Sequence, residues 1–338
     1  QRATGGSARK APCSNSRSWC LPKGNSDMDL KVKIGKMELQ NPVLTASGTF
    51  GYGQEYAEYY DLSALGGVMM KGISLRPREG NPPPRVYETP SGMLNAIGLQ
   101  NVGLKKFLKE KLPFIRKYET ACIANILGST PGEYVKLARA LDEAGVDGIE
   151  LNVSCPNVKK GGVAFASDMK GMARLVKKVR AEVKHAALIV KLSPNVTDIK
   201  VPARICEDEG ADGISLINTI TGMAIDSETR RPVLANITGG LSGPAIKPIA
   251  LRMVWEAYHT VKIPIIGMGG ISNGIDAVEF MLAGASAVAV GTANFVTPDA
   301  APLVLEGIKE YMKAHGINSI SELTGALRIP GDQPSSLL

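Results

Sequence analysis

Cys155 stands in the run Leu151-Asn152-Val153-Ser154-Cys155-Pro156-Asn157, directly after the short apolar segment Gly148-Ile149-Glu150-Leu151. A thiol can move a proton, and amides beside it can grip a flat, hydrogen-bonding substrate. A free thiol titrates near about 8.5, so a modest local shift makes it usable at neutral pH. A lone free cysteine more often serves only as a small packing residue, so the rest of the chain decides between the two roles. Lys71 and Lys191 are each flanked by apolar residues. A lysine in such a run is costly unless it meets a partner. It can neutralise an anionic cofactor or substrate, form a Schiff base, or snorkel to solvent.

Glycine runs form a second group: Gly267-Met268-Gly269-Gly270, Gly291-Thr292 and Leu241-Ser242-Gly243-Pro244. Glycines let backbone N–H groups approach a phosphate closely, and a following helix start adds to the site. They also make ordinary tight turns. Gly267-x-Gly269 lacks the third glycine and the acidic ribose partner of a dinucleotide fingerprint. His185, His259 and His315 fall near predicted helix C-termini, where they suit the helix dipole rather than acid–base chemistry.

Composition narrows the classes. The chain has 338 residues, of which 44% are apolar and 21% charged. That is ordinary globular composition, and no apolar run reaches the roughly 18 residues that span a bilayer. Cysteines 13, 20, 122, 155 and 206 are scattered with no Cys-x-x-Cys pair, so neither a metal site nor an iron–sulfur site is expected. A reduced, cytoplasmic setting fits best. The net charge of +7 includes Arg2, Arg9, Lys10, Arg17 and Lys23 against Asp27 in the first 27 residues, which leaves +3 on the body. No basic stripe interleaves with aromatics, so nucleic acid is not an expected partner. Residues 1–27 are Ser-, Gly- and Arg-rich and precede Met28; they read as a disordered or artificially appended tail, with a transit peptide as the alternative. Residues 28–338 read as one domain.

The elements that must position these groups repeat. After a hairpin-like opening at 30–39, short apolar runs recur at 42–47, 67–73, 122–127, 148–153, 187–193, 213–218, 264–268 and 286–290. They lack strict alternation, as strands buried on both faces do. Thr130-Pro131-Gly132-Glu133 predicts a capped helix running to Ala144 and stopping at Gly145. The junctions Ala144-Gly145-Val146-Asp147-Gly148-Ile149, Glu209-Gly210-Ala211-Asp212-Gly213-Ile214 and Ala283-Gly284-Ala285-Ser286-Ala287-Val288 each read as helix, glycine cap, tight turn and buried strand. Eight such units predict an α/β fold, a (β/α)8 TIM barrel with an N-terminal hairpin and inserted loops at its C-terminal face.

Such barrels work at the C-terminal strand ends. Those ends hold Ser47, Lys71-Gly72, Asn125, Asn152 to Asn157, Lys191, Asn218-Thr219, the glycines around 269 and Gly291-Thr292. Amides and lysines dominate, and carboxylates are nearly absent. The long segment from Gly80 to Asn101 follows the second strand and is either functional or a rigid surface loop.

Together these residues resemble the class 1 dihydroorotate dehydrogenases over nearly the whole chain from Met28. The matching motifs are ASG at 46–48, MKG at 70–72, NAIGLQN at 95–101, NVSCPN at 152–157, VKLSPNVTDI at 190–199, INT at 217–219, ANITGGLSGPAIKP at 235–248, GMGG at 267–270 and AVAVGTANF at 287–295. The resemblance implies an FMN-containing barrel, one FMN per chain, that oxidises dihydroorotate to orotate in pyrimidine biosynthesis. It implies Cys155 as the base at substrate C5, with the hydride of C6 passing to FMN N5. It implies Lys71, Asn95, Gly98, Leu99, Asn152, Asn157, Asn218 and Thr219 around the substrate. Ser47, Lys71, Gly72, Asn125, Asn152, Lys191, Ile217, Gly243, Gly269, Gly270, Gly291 and Thr292 would hold FMN. The segments at 80–101 and 152–165 look like the B type, a homodimer within a heterotetramer whose second subunit carries FAD and a [2Fe–2S] cluster and passes electrons to NAD. The A type, a fumarate-linked homodimer, another FMN-dependent pyrimidine reductase and a catalytically silent barrel are the alternatives.

Overall fold

A computed structural model describes residues 28–153 and 168–330. Eight parallel strands close into a barrel. We label them β1 (Val43–Thr45), β2 (Gly67–Ile73), β3 (Ala121–Ile126), β4 (Gly148–Asn152), β5 (Ala187–Lys191), β6 (Gly213–Leu216), β7 (Ile265–Met268) and β8 (Ala287–Val290). Each pairs with its neighbours in chain order, and β8 returns to β1. All eight runs expected from the sequence are strands, with ends displaced by at most a few residues. Their residues are buried along nearly the whole length, because helices cover the outside and side chains fill the inside.

Helices at Pro131–Glu143, Met169–Glu182, Lys200–Asp208, Lys247–Tyr258, Gly274–Leu282 and Ala300–Ala314 supply the outer layer. The capping reading of the first holds: Thr130 accepts from the Glu133 N–H, and Pro131 opens the helix. The Glu133 carboxylate turns back to the Ser129 N–H, one residue before the cap. His259 and His315 are the residues after their helices, where the sequence places them; each ring Nδ1 lies 2.8 Å from the carbonyl oxygen four residues back.

The opening hairpin, Val32–Ile34 with Met37–Leu39, buries alternate residues against the bottom of the barrel. It explains two glycines in the repeated junctions. A Cβ built on Gly213 would lie 2.9 Å from Ile34 Cγ2, and one on Gly148 would lie 3.3 Å from Met37 Sδ. The strands therefore begin on glycine where the hairpin packs closest.

At the opposite end, the inserted segments fold into more than loops. Val86–Thr89, Gly92–Asn95, Thr238–Ser242 and Ile220–Met223 form a four-stranded antiparallel sheet. The insertions after β2 and β6 thus meet, around a small core of Leu94, Ala96 and Leu234. The tail expectation for residues 1–27 lies outside the described residues.

Candidate active site

The strand ends bring most of the expected side chains to one place. Lys191, at the end of β5, is buried, and its Nζ donates to Ser47 Oγ after β1 at 3.3 Å. Lys191 and Asn152 are register partners across β5 and β4. Alternate residues of a strand share a face, so Glu150 and Asn152 share theirs. Asn125, on β3, is the register partner of Glu150. Its Nδ2 donates to Glu150 Oε2 at 2.5 Å. Tyr134 OH donates to the Asn152 carbonyl at 3.0 Å and ties the end of β4 to the first outer helix.

Lys71 lies at the end of β2, partly buried. Burial pushes its pKa below the usual lysine value, and the positive charge of Arg85 pushes it further the same way. Two cations so placed suit an anionic ligand. Gly72 follows; a Cβ there would lie 2.9 Å from Asn125 Oδ1, so the amide oxygen rests over bare backbone.

The phosphate-type cradle is assembled from three chain segments. Gly243, Gly269 and Gly270 have φ of 94°, 124° and 84°. A Cβ on Gly270 would fall 2.9 Å from the Gly243 carbonyl and 3.0 Å from Lys247 N. Only glycine fits that approach at that φ. Gly243 leads into the turn Pro244–Ile246 and the helix from Lys247, as expected. Thr292 Oγ1 donates to Ser242 Oγ at 2.8 Å, joining the end of β8 to the mouth sheet. Lys247 is paired with Asp276 and Glu279, and Asp276 also accepts from Ser272 N. The loop after β7 is thus fastened to the two helices beside it.

The mouth sheet and the segments flanking it hold the remaining groups. Asn95 Nδ2 donates to the Gly240 carbonyl at 3.3 Å. Gly98 and Leu99 both have positive φ, 76° and 63°. Leu99 pays for that conformation in strain, and residues so held gather at functional sites. Ile217 is buried, and its N–H donates to the Met268 carbonyl. Asn218 Oδ1 accepts from the Thr219 N–H at 2.8 Å.

Cys155 and Asn157 lie outside the described residues. Of the other cysteines, Cys122 and Cys206 are buried in the core. Burial pushes the Cys122 thiol up to about 12, with nearby Asp147 adding to it, and raises Cys206 as well. Neither is a thiolate at neutral pH. Among the described residues, no cluster of His, Cys, Asp and Glu could hold a metal ion, and no helix is long and apolar enough to cross a membrane.

Three contributors escaped the sequence reading. Glu150 is 0% exposed inside the barrel and accepts from Asn125 and, at 2.7 Å, from Ser215 Oγ. The ring of strand ends holds few carboxylates, but this one lies inside the barrel beside Asn125. Asn101 donates to the Leu99 carbonyl at 2.9 Å and accepts from the N–H groups of Ser74 and Gly103. Asn195 donates to the Thr219 carbonyl and accepts from the Thr221 N–H. The last two sat inside quoted motifs; their roles needed the tertiary contacts.

A family model described as dihydroorotate dehydrogenase matches residues 29–312. The chain belongs to the dihydroorotate dehydrogenase family. A relative from Thermoanaerobacter sp. (strain X514) is 58% identical over 302 residues, covering 89% of this chain and 100% of its own length. It is named dihydroorotate dehydrogenase B (NAD(+)), catalytic subunit. Relatives of the same name from Pelobacter propionicus and Geobacter sp. (strain M21) are 57% and 56% identical, covering 88% and 89% of this chain and 98% and 99% of theirs.

Proposed function

We propose that this chain is the catalytic subunit of a B-type dihydroorotate dehydrogenase. It oxidises (S)-dihydroorotate to orotate and delivers the electrons through a partner subunit to NAD. The observation that carries the reading is full-length identity of more than half to relatives bearing that name. The buried Lys191–Ser47 pair and the glycine cradle supply a site of matching chemistry.

FMN fits the residues present. Gly243, Gly269, Gly270, Gly291 and Thr292 would take its phosphate, since the close approach of Gly270 to Gly243 and Lys247 sets the glycine loop after β7 against the start of a helix. Ser47, Lys71, Gly72, Asn125, Asn152, Lys191 and Ile217 would meet the rest of the cofactor. Bound there, FMN supplies a hydride acceptor. Cys155 takes the proton from substrate C5. Lys71 offers a cation to the anionic substrate, while Asn95, Asn152, Asn157, Asn218 and Thr219 orient the pyrimidine by hydrogen bonds. The backbones of Gly98 and Leu99 close over it.

The partner would carry FAD and the [2Fe–2S] cluster, because cysteines 13, 20, 122, 155 and 206 have no cluster spacing and two of them are core residues. The barrel chain would pair with itself within that heterotetramer, and the setting is the cytoplasm. The test is reconstitution: the chain with dihydroorotate and NAD⁺, with and without an FAD/[2Fe–2S] subunit. NADH formation only with the subunit is expected. Rapid turnover with fumarate by the chain alone would make it A type instead.

A further inference from the structure

Glu150 is the one carboxylate on the inner face of β4 and it has no place in the chemistry above. It is 0% exposed, in the same layer as Asn125. It reaches across the inner face of β5 to Ser215 on β6. Gly213 of β6 and Ile189 of β5 are register partners in the intervening row. A carboxylate is costly to bury and is kept only where its oxygens are satisfied. Both oxygens here accept: Oε2 from Asn125 Nδ2 at 2.5 Å, Oε1 from Ser215 Oγ at 2.7 Å.

We infer that Glu150 is a positioning residue of the cofactor site, which fixes the amide of Asn125 with its NH2 group inward and its carbonyl oxygen toward the barrel mouth. An asparagine amide can turn over, exchanging donor for acceptor. A carboxylate only accepts, so it selects the orientation with Nδ2 facing it. The consequence is visible on the other side of the amide, where Oδ1 lies over the Gly72 backbone. Asn125 then offers the mouth an acceptor. A flavin ring carries an N–H between two carbonyls, and an acceptor is what that N–H needs. This role rests on FMN binding at the mouth. Its chemical content is separate: which atom of Asn125 faces the cofactor, and what holds it there.

The test uses the flavin-stripped chain titrated with FMN, read by quenching of flavin fluorescence and by the visible spectrum of the bound form. Glu150→Gln is the same size but can present a donor, so Asn125 is free to turn. Affinity is expected to fall by up to about tenfold, the scale of one hydrogen bond between neutral groups, with an altered flavin spectrum. Glu150→Asp keeps only acceptors while shortening the side chain, and is expected to stay closer to wild type than Glu150→Gln. A purely structural role would give the reverse order. Asn125→Ala is expected to weaken FMN by itself, and adding Glu150→Gln to it should cost less than about twofold more, because the carboxylate acts through that amide.

Wild-type affinity and spectrum in Glu150→Gln would overturn the inference, as would independent losses in the double variant. If Glu150→Gln does not fold, Asn125→Ala still decides, since unchanged FMN affinity there removes the group through which Glu150 acts. Failure of the wild-type chain to bind FMN would instead overturn the cofactor reading.

Discussion

Lys191 and Ser47 are 144 residues apart in sequence, and the lysine Nζ stands 3.3 Å from the serine Oγ inside the barrel mouth. The contact joins the ends of β5 and β1. In the proposed function this lysine would be a charge-assisted donor to FMN. Lys191→Ala is expected to lower FMN affinity by about tenfold or more, seen as loss of flavin absorbance in the purified protein. A variant that retains flavin with an unchanged spectrum would show that Lys191 does not touch FMN.

Cys155→Ala should keep FMN and lose the proton transfer. Removing a general base typically slows the step by roughly 10²–10⁴. Stopped-flow reduction of the flavin by dihydroorotate reads this directly, and an unchanged rate would take the thiol out of the mechanism.

With Lys71 meeting the substrate as proposed, substrate affinity is expected to depend on pH. Burial, then the charge of Arg85, lowers its pKa from the usual 10.5. Below the lowered value the amine is a cation and holds an anionic substrate; above it the amine is neutral. Orotate affinity should therefore fall as pH rises through the window between the lowered value and the usual one, and Arg85→Gln should move that fall to higher pH. The stability effect has the opposite sign. In that window the unfolded chain binds the additional proton, so the native state gains stability as pH rises. Orotate titrations across the alkaline range, followed by flavin difference absorbance, measure the first effect. Affinity that stays flat until the ordinary lysine range would contradict it.

Asp142 is a structural counterpart. Burial opposes its ionisation, but backbone N–H groups of Ala186, Lys184 and His185 outweigh burial and hold its carboxyl below the usual value of 3.8. Its contribution is complete above the unfolded value and lost as pH falls through the lower folded one. Asp142→Asn keeps one acceptor where the carboxylate served three donors. It is expected to cost about 1–3 kcal/mol, visible as a lower midpoint in urea, whereas an unchanged midpoint would show that the turn before β5 holds itself.

The barrel was legible because its signals are local. Buried runs such as Ala187–Lys191, glycine caps such as Gly145 and the cap at Thr130 each state their element within a few residues. The amide and lysine set was legible because a polar residue closing an apolar strand stands out. Glu150 was not, since it lies inside the strand, and only the register with Asn125 shows that it faces inward. Its spacing of two from Asn152 was the available clue. The mouth sheet was also hidden: Ile220–Met223 and Gly92–Asn95 both pair with Thr238–Ser242, and no local pattern announces partners so distant in sequence.

Anaerobic mixing of the flavin-loaded chain with dihydroorotate, followed by flavin absorbance, tests the central claim most directly. Bleaching is expected, with slow or no recolouring when fumarate is added and recovery when the FAD/[2Fe–2S] subunit and NAD⁺ are supplied. Flavin-loaded protein that does not bleach would contradict dihydroorotate oxidation at this site.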